Sequence, residues 1–144
     1  MVNDDSIISS DKSLENIIID SDSASFHKDV IEASKNIPVL VDFWADWCAP
    51  CKQLTPILES AVKYYKGEIR LVKIDSEKNQ DLSKQLQIQS LPTVYAFYEG
   101  QPIDGFSGAM PENEVKDFIK KVIAASGGGK QEEIDKLISE AEEL

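Results

Sequence analysis

Residues 39–44, Val-Leu-Val-Asp-Phe-Trp, run apolar almost without interruption. A strand with one face in water alternates polar and apolar side chains, whereas a strand covered on both faces loses that alternation. The run therefore predicts a strand inside a sheet with helices above and below it, and Asp42 is its one exception. A second such run, Ile69 to Asp75 (IRLVKID), follows a stretch from Pro50 to about Lys66 in which Leu54, Ile57, Leu58, Ala61, Val62 and Tyr65 share one helical stripe. Strand, helix and strand in this order form a βαβ unit.

The flanking sequence extends that unit. Leu14 to Asp20 (LENIIID) reads as a short β-branched strand, and Phe26, Val30 and Ala33, behind potential N-caps at Ser21 to Ser23, trace a short amphipathic helix. Leu82 and Leu86 mark a short third helix, Thr93 to Tyr98 a strand, Glu99-Gly100 a hairpin turn and Gln101 to Phe106 its returning partner. Val115, Phe118, Ile119, Val122 and Ile123 fit a last helix, with Pro111 near its start. The order β-α-β-α-β-α-β-β-α places the chain in the α/β class, with a central mixed sheet and helices on both faces. Trp44 is expected in the core.

At 144 residues the chain suffices for one core. Residues 1–13 lack periodicity and read as a flexible N-terminal extension, 14–125 as the domain, and 126–130, holding Gly127-Gly128-Gly129, as a glycine-rich linker. Residues 131–144 read as an acidic amphipathic helix with Ile134, Leu137, Ile138, Ala141 and Leu144 on one stripe. A lone helix of that length is marginal in water, so the stripe calls for its own domain, a partner or a further helical module. Of the net charge of −11, residues 1–22 carry −5 and residues 130–144 carry −4. Such acidity makes nucleic acid and anionic membrane poor partners. The acidic first dozen residues contain no apolar signal region and no stretch is long enough to span a membrane, so a cytoplasmic protein is expected.

Both cysteines fall in one window, Cys48-Ala49-Pro50-Cys51, where a buried strand ends and a helix begins. A C-x-x-C pair at such a junction reads as a redox dithiol. Cys48, just ahead of the helix, faces unpaired backbone N–H groups that favour a thiolate, the species that attacks a disulfide. Cys51 lies about one turn on, where it resolves a mixed disulfide. Pro50 lacks the N–H that a first helical turn leaves orphaned, and it stiffens the bridge. Neither intervening residue is charged, which leans toward a reductant. A purely structural bridge closes so small a loop that it contributes about 2 kcal/mol, against about 3 for fifteen residues. Two cysteines and the distant His27 fall short of the four ligands of a zinc site, so no metal is expected.

A carboxylate in a run such as VLVDFW responds to burial by raising its pKa, which suits Asp42 to take the proton that Cys51 loses on attack. Facing water from an edge strand is its alternative. Lys73, in LVKID, is either the neighbour of that carboxylate or an outward-facing lysine. Trp47, beside Cys48, is either an apolar contact for substrate or incidental. Pro92, in Ser90-Leu91-Pro92-Thr93, opens a strand, a position that tolerates proline.

At VLVDFWADWCAPCKQLTPILE the sequence resembles the thioredoxin family, with further matches at LVKID, SLPTVYAF and FSGAM. The resemblance covers about residues 14–125 and implies the thioredoxin fold. It implies Cys48 as attacking thiol, Cys51 as resolving thiol, Asp42 as buried acid with Lys73 its neighbour, and Pro92 as a cis-proline opposite the dithiol. Substrate would lie against Trp47, Ala49, Pro50, Leu91, Pro92 and Gly108, and Pro56 would kink the helix. No bound cofactor is implied beyond the Cys48–Cys51 disulfide. Electrons would come from NADPH through thioredoxin reductase, and protein disulfides would be the targets. Ala49 stands where the family commonly has glycine. The longer N-terminus, triglycine joint and acidic tail are similar to the front part of chaperedoxins, which join a thioredoxin domain to helical repeats. The second expectation is therefore a client-binding holdase module with an auxiliary dithiol, and a chaperone partner or helical module met through the tail.

Overall fold

A computed structural model describes residues 16–128. The lead-in over 1–13 and the acidic helix expected over 131–144 lie outside the described residues. Strand β1 is Ile18–Ser21, so the expected start at Leu14 also falls outside them. The next element winds as a π-helical segment, His27–Glu32, continued by a 3-10 turn, Ala33–Lys35, together α1. It begins after Phe26 with no capping side chain, not on the serines at 21–23. Its form answers to tertiary bonds. Ser34 is fully buried, donates its hydroxyl to the Ile31 carbonyl and accepts the N–H of Gly100 at 2.9 Å, while its carbonyl accepts the N–H of Glu99 at 2.7 Å.

Strands β2 (Val39–Trp44) and β3 (Arg70–Asp75) enclose helix α2 (Ala49–Tyr64) in the chain order. Helix α3 (Gln80–Gln85), strands β4 (Thr93–Tyr98) and β5 (Gln101–Ser107), and helix α4 (Glu112–Ala125) follow. The five strands lie in the order β1-β3-β2-β4-β5. β3 pairs parallel with β1 and β2, whereas β4 runs antiparallel to both β2 and β5. β2 is thus the central strand, which removes the edge-strand alternative for Asp42. The β4–β5 turn carries positive φ at both Glu99 (55°) and Gly100 (83°), the backbone twist that a two-residue hairpin favours.

Side chains alternate across the sheet with period two. Leu40, Leu71, Val94 and Ala96 face α2 and α4 in one core. Val39, Val41, Phe43, Val72 and Ile74 face α1 and α3 in the other. Asp42 shares the side of Leu40, which aims its carboxyl at α2.

Candidate active site

The chain leaves β2 at Trp44 and enters α2 with Cys48 as N-cap, its backbone extended. The first N–H groups of a helix have no intrahelical acceptor, and here Cys51 N–H donates to Cys48 Sγ at 3.2 Å. Pro50, in the same first turn, has no N–H to satisfy. The two cysteines form a disulfide with their Cα atoms 5.3 Å apart. They are almost equally covered, Cys48 3% and Cys51 2% exposed. Exposure therefore does not separate the two thiols in this closed form; position does, with Cys48 at the cap and Cys51 inside the turn. Ala45 completes their cluster, with Trp44 and Leu91 packed on it.

Around the disulfide, Trp47 is 68% exposed and donates its indole N–H to Glu77 Oε2 at 3.2 Å. Ala49 and Pro50 are exposed. Half-buried Leu91 ties the loop ahead of β4 to the cysteines, and the bond from it to the buried Pro92 is cis. The Pro92 carbonyl accepts the N–H of Gly108 at 2.8 Å. Gly108 has φ +88°, a region that strains any residue with a Cβ. Gly108 thus reaches the site through Pro92.

Behind the disulfide Asp42 is fully enclosed. Its Oδ2 accepts a 2.7 Å hydrogen bond from Thr55 Oγ1, while Oδ1 has no partner among the described residues. Burial pushes its pKa from the ordinary 3.8 to about 6; the Thr55 hydrogen bond and the charge of Lys73 pull against that rise, and the charge of Glu59 adds to it. Lys73 is opposite Asp42 in register. Its ammonium, however, is held by Glu59 Oε2 at 2.8 Å, with Asp20 Oδ1 at 4.0 Å. Burial works against this ammonium, but the Glu59 hydrogen bond and the charges of Glu59, Asp20 and Asp42 hold its pKa above the usual lysine value. Lys73 acts on Asp42 through space, and the residue it grips is one the sequence reading did not include.

Cys51, Thr55, Asp20, Lys73 and Trp44 lie on the wall of a cavity of about 300 Å³. Trp44, expected in the core, is instead half-buried, packed on the cysteine cluster at the cavity wall. Thr55 and Glu59 had one available signal, since they follow Cys51 at i+4 and i+8 and so share its helix face. Glu77 had none, being in the irregular chain after β3. His27 lies apart, its ring 3.4 Å from Glu32. Among the described residues no group of three or more His, Cys, Asp or Glu side chains is placed to hold a metal ion, and no helix is long and apolar enough to cross a membrane.

What this arrangement can do is trade two electrons with another disulfide, opening its own bond or closing it, and proteins that work through such a cysteine pair are thiol–disulfide oxidoreductases. Comparison with known proteins narrows the class. The family model described as Thioredoxin matches residues 17–121. A thioredoxin of Rickettsia felis is 40% identical over 100 residues, 69% of this chain and 93% of that protein. A thioredoxin of Rickettsia conorii is 38% identical over 110 residues, 76% of this chain and 100% of that protein. A probable thioredoxin-2 of Caenorhabditis elegans is 41% identical over 109 residues, 75% of this chain and 74% of that protein. The chain belongs to the thioredoxin family and is a protein-disulfide reductase.

Proposed function

We propose that reduction proceeds in two exchanges, with Cys48 attacking, Cys51 resolving and Asp42 taking the proton that Cys51 gives up. In the reduced protein the Cys48 thiolate attacks one sulfur of a target disulfide, and the target's other sulfur leaves as a thiolate that picks up a proton. Cys51 then loses its proton, attacks Cys48 Sγ and expels the second target sulfur. The Cys48–Cys51 disulfide forms, and two electrons have passed to the target. The observation that carries this assignment is the Cys51 N–H directed at Cys48 Sγ from the first turn of α2, a donor that stabilises negative charge on that sulfur and on no other.

Asp42 suits the proton step because burial has brought its pKa to about 6, close to neutrality. Lys73, fixed by Glu59, supplies a positive charge that limits how far that value climbs. Trp47, Ala49, Pro50, Leu91, Pro92 and Gly108 form the surface that receives the target chain. The redox group is the disulfide itself, recharged by NADPH through thioredoxin reductase. A reducing dithiol works against protein disulfides where thiols are kept reduced, which suits the cytoplasm. The test is insulin reduction driven by dithiothreitol and followed by turbidity: the wild-type chain accelerates it and Cys48→Ser does not. Equal rates for the two would overturn the assignment.

A further inference from the structure

We propose that Thr55 is a positioning residue for the proton released by Cys51, its hydroxyl being the link between the enclosed Asp42 carboxyl and the cavity on whose wall Cys51 lies. The inference rests on the reading of Asp42 as proton acceptor. Asp42 is 0% exposed and does not line that cavity, so its carboxyl is enclosed behind the cavity wall. Thr55 touches both sides. Its Oγ1 donates to Asp42 Oδ2 at 2.7 Å, and the same side chain lines the cavity of about 300 Å³ together with Cys51 and Lys73. The position follows from the helix, because Thr55 is four residues beyond Cys51 and therefore on its face.

A hydroxyl has one proton and two lone pairs. While it donates to Asp42, Thr55 Oγ1 keeps an acceptor site for a water in the cavity, which has room for several at about 30 Å³ each. The step balances without any redox change. The proton leaving Cys51 Sγ passes to cavity water and on to a lone pair of Thr55 Oγ1, as the proton that Thr55 already carries moves to Asp42 Oδ2. Afterwards Asp42 donates and Thr55 accepts, so the bond between them persists with its direction reversed. Threonine in a helix often spends its hydroxyl on the carbonyl four residues back. Here it is turned to a strand carboxyl instead. Because the donated bond favours the charged carboxylate, Thr55 also governs the pH at which Asp42 becomes available as a base.

The test uses the full reduced chain and dithiobis-nitrobenzoate, which releases one coloured thiolate when Cys48 attacks and a second when Cys51 resolves. Thr55→Val keeps the branched shape and removes the hydroxyl; Thr55→Ser restores the hydroxyl. The proposal expects the first release to be unchanged in Thr55→Val. The second is expected to slow by about tenfold near pH 7, one hydrogen bond to a charged group, with its pH midpoint moved upward and Thr55→Ser near wild type. Equal slowing by Val and Ser would mean that shape, not the hydroxyl, matters and would overturn it. So would a wild-type second release in Thr55→Val while Asp42→Asn slows that release. A second release untouched by Asp42→Asn removes the acceptor reading and this inference together. Should the valine variant fail to fold, Thr55→Ala replaces it in the same comparison, and the Asp42 carboxyl titration by carbon NMR must then also shift upward.

Discussion

Asp42 is the residue most at odds with its surroundings, and the direction of its titration fixes a prediction. Between the ordinary 3.8 and about 6 the folded protein keeps a proton that the unfolded chain has lost. Stability therefore falls as pH rises through that window, and above it the enclosed charge costs roughly 3 kcal/mol. Asp42→Asn removes the charge, so urea unfolding of the oxidised protein is expected to show a gain of that order near pH 8. The gain should vanish below about pH 3, where the carboxyl is protonated in both states; a gain independent of pH would contradict the burial account. Glu59 gives a second handle. Its charge raises the Asp42 pKa, and it also holds Lys73. Glu59→Gln removes that charge while keeping a side-chain oxygen for Lys73, so the Asp42 midpoint is expected to fall, which carboxyl NMR reads directly. Asp42 was legible as the lone charge in an apolar run. Thr55 and Glu59 had only their place on the helix face of Cys51 as a signal, and a polar residue on a helix is ordinary until the strand it faces is known.

At the scale of elements, α2 has a cysteine where helices commonly place serine, threonine, aspartate or asparagine. The cap bond from Cys51 N–H to Cys48 Sγ separates two variants that turnover alone cannot. Cys48→Ser and Cys48→Ala both abolish disulfide reduction, but the reduced serine variant should be the more stable by about 1 kcal/mol, measured by denaturant unfolding, because it keeps an acceptor at the N-cap. Ser34 plays the corresponding part at the far end of the sheet. It is buried and holds the Glu99-Gly100 turn against α1. Ser34→Ala leaves the Gly100 N–H without that acceptor and is expected to cost about 1–3 kcal/mol in the same measurement, with the turn amides losing hydrogen-exchange protection first. The strands and the stripes of α2 and α4 were readable from periodicity, since burial on a helix or strand face repeats along the chain. The π-helical and 3-10 form of α1 was not, because the bonds that hold its Ser34 come from a hairpin 66 residues away.

The whole molecule concentrates its chemistry at one end of one strand. Running β2 through the middle of the sheet encloses Asp42, and ending it at Trp44 delivers the cysteines to the start of α2. Every group named in the site, from Asp20 to Gly108, lies within residues 17–121, the stretch that the thioredoxin family model matches. The Rickettsia felis thioredoxin is covered over 93% of its length by 69% of this chain, so the rest of the chain has little counterpart in that relative. Most of the net charge of −11 sits outside that matched stretch, −3 in residues 1–16 and −4 in residues 130–144. Residues 129–144 contribute no group named in the site. Deleting residues 129–144 should therefore leave dithiothreitol-driven insulin reduction within about twofold of the full chain. The same deletion separates redox work from client holding: if the apolar stripe of Ile134, Leu137, Ile138, Ala141 and Leu144 grips unfolding proteins, the full chain suppresses light scattering from heat-denatured citrate synthase and the shortened chain does not. Loss of reductase activity on that deletion would place the tail within the catalytic unit and contradict a site confined to residues 17–121.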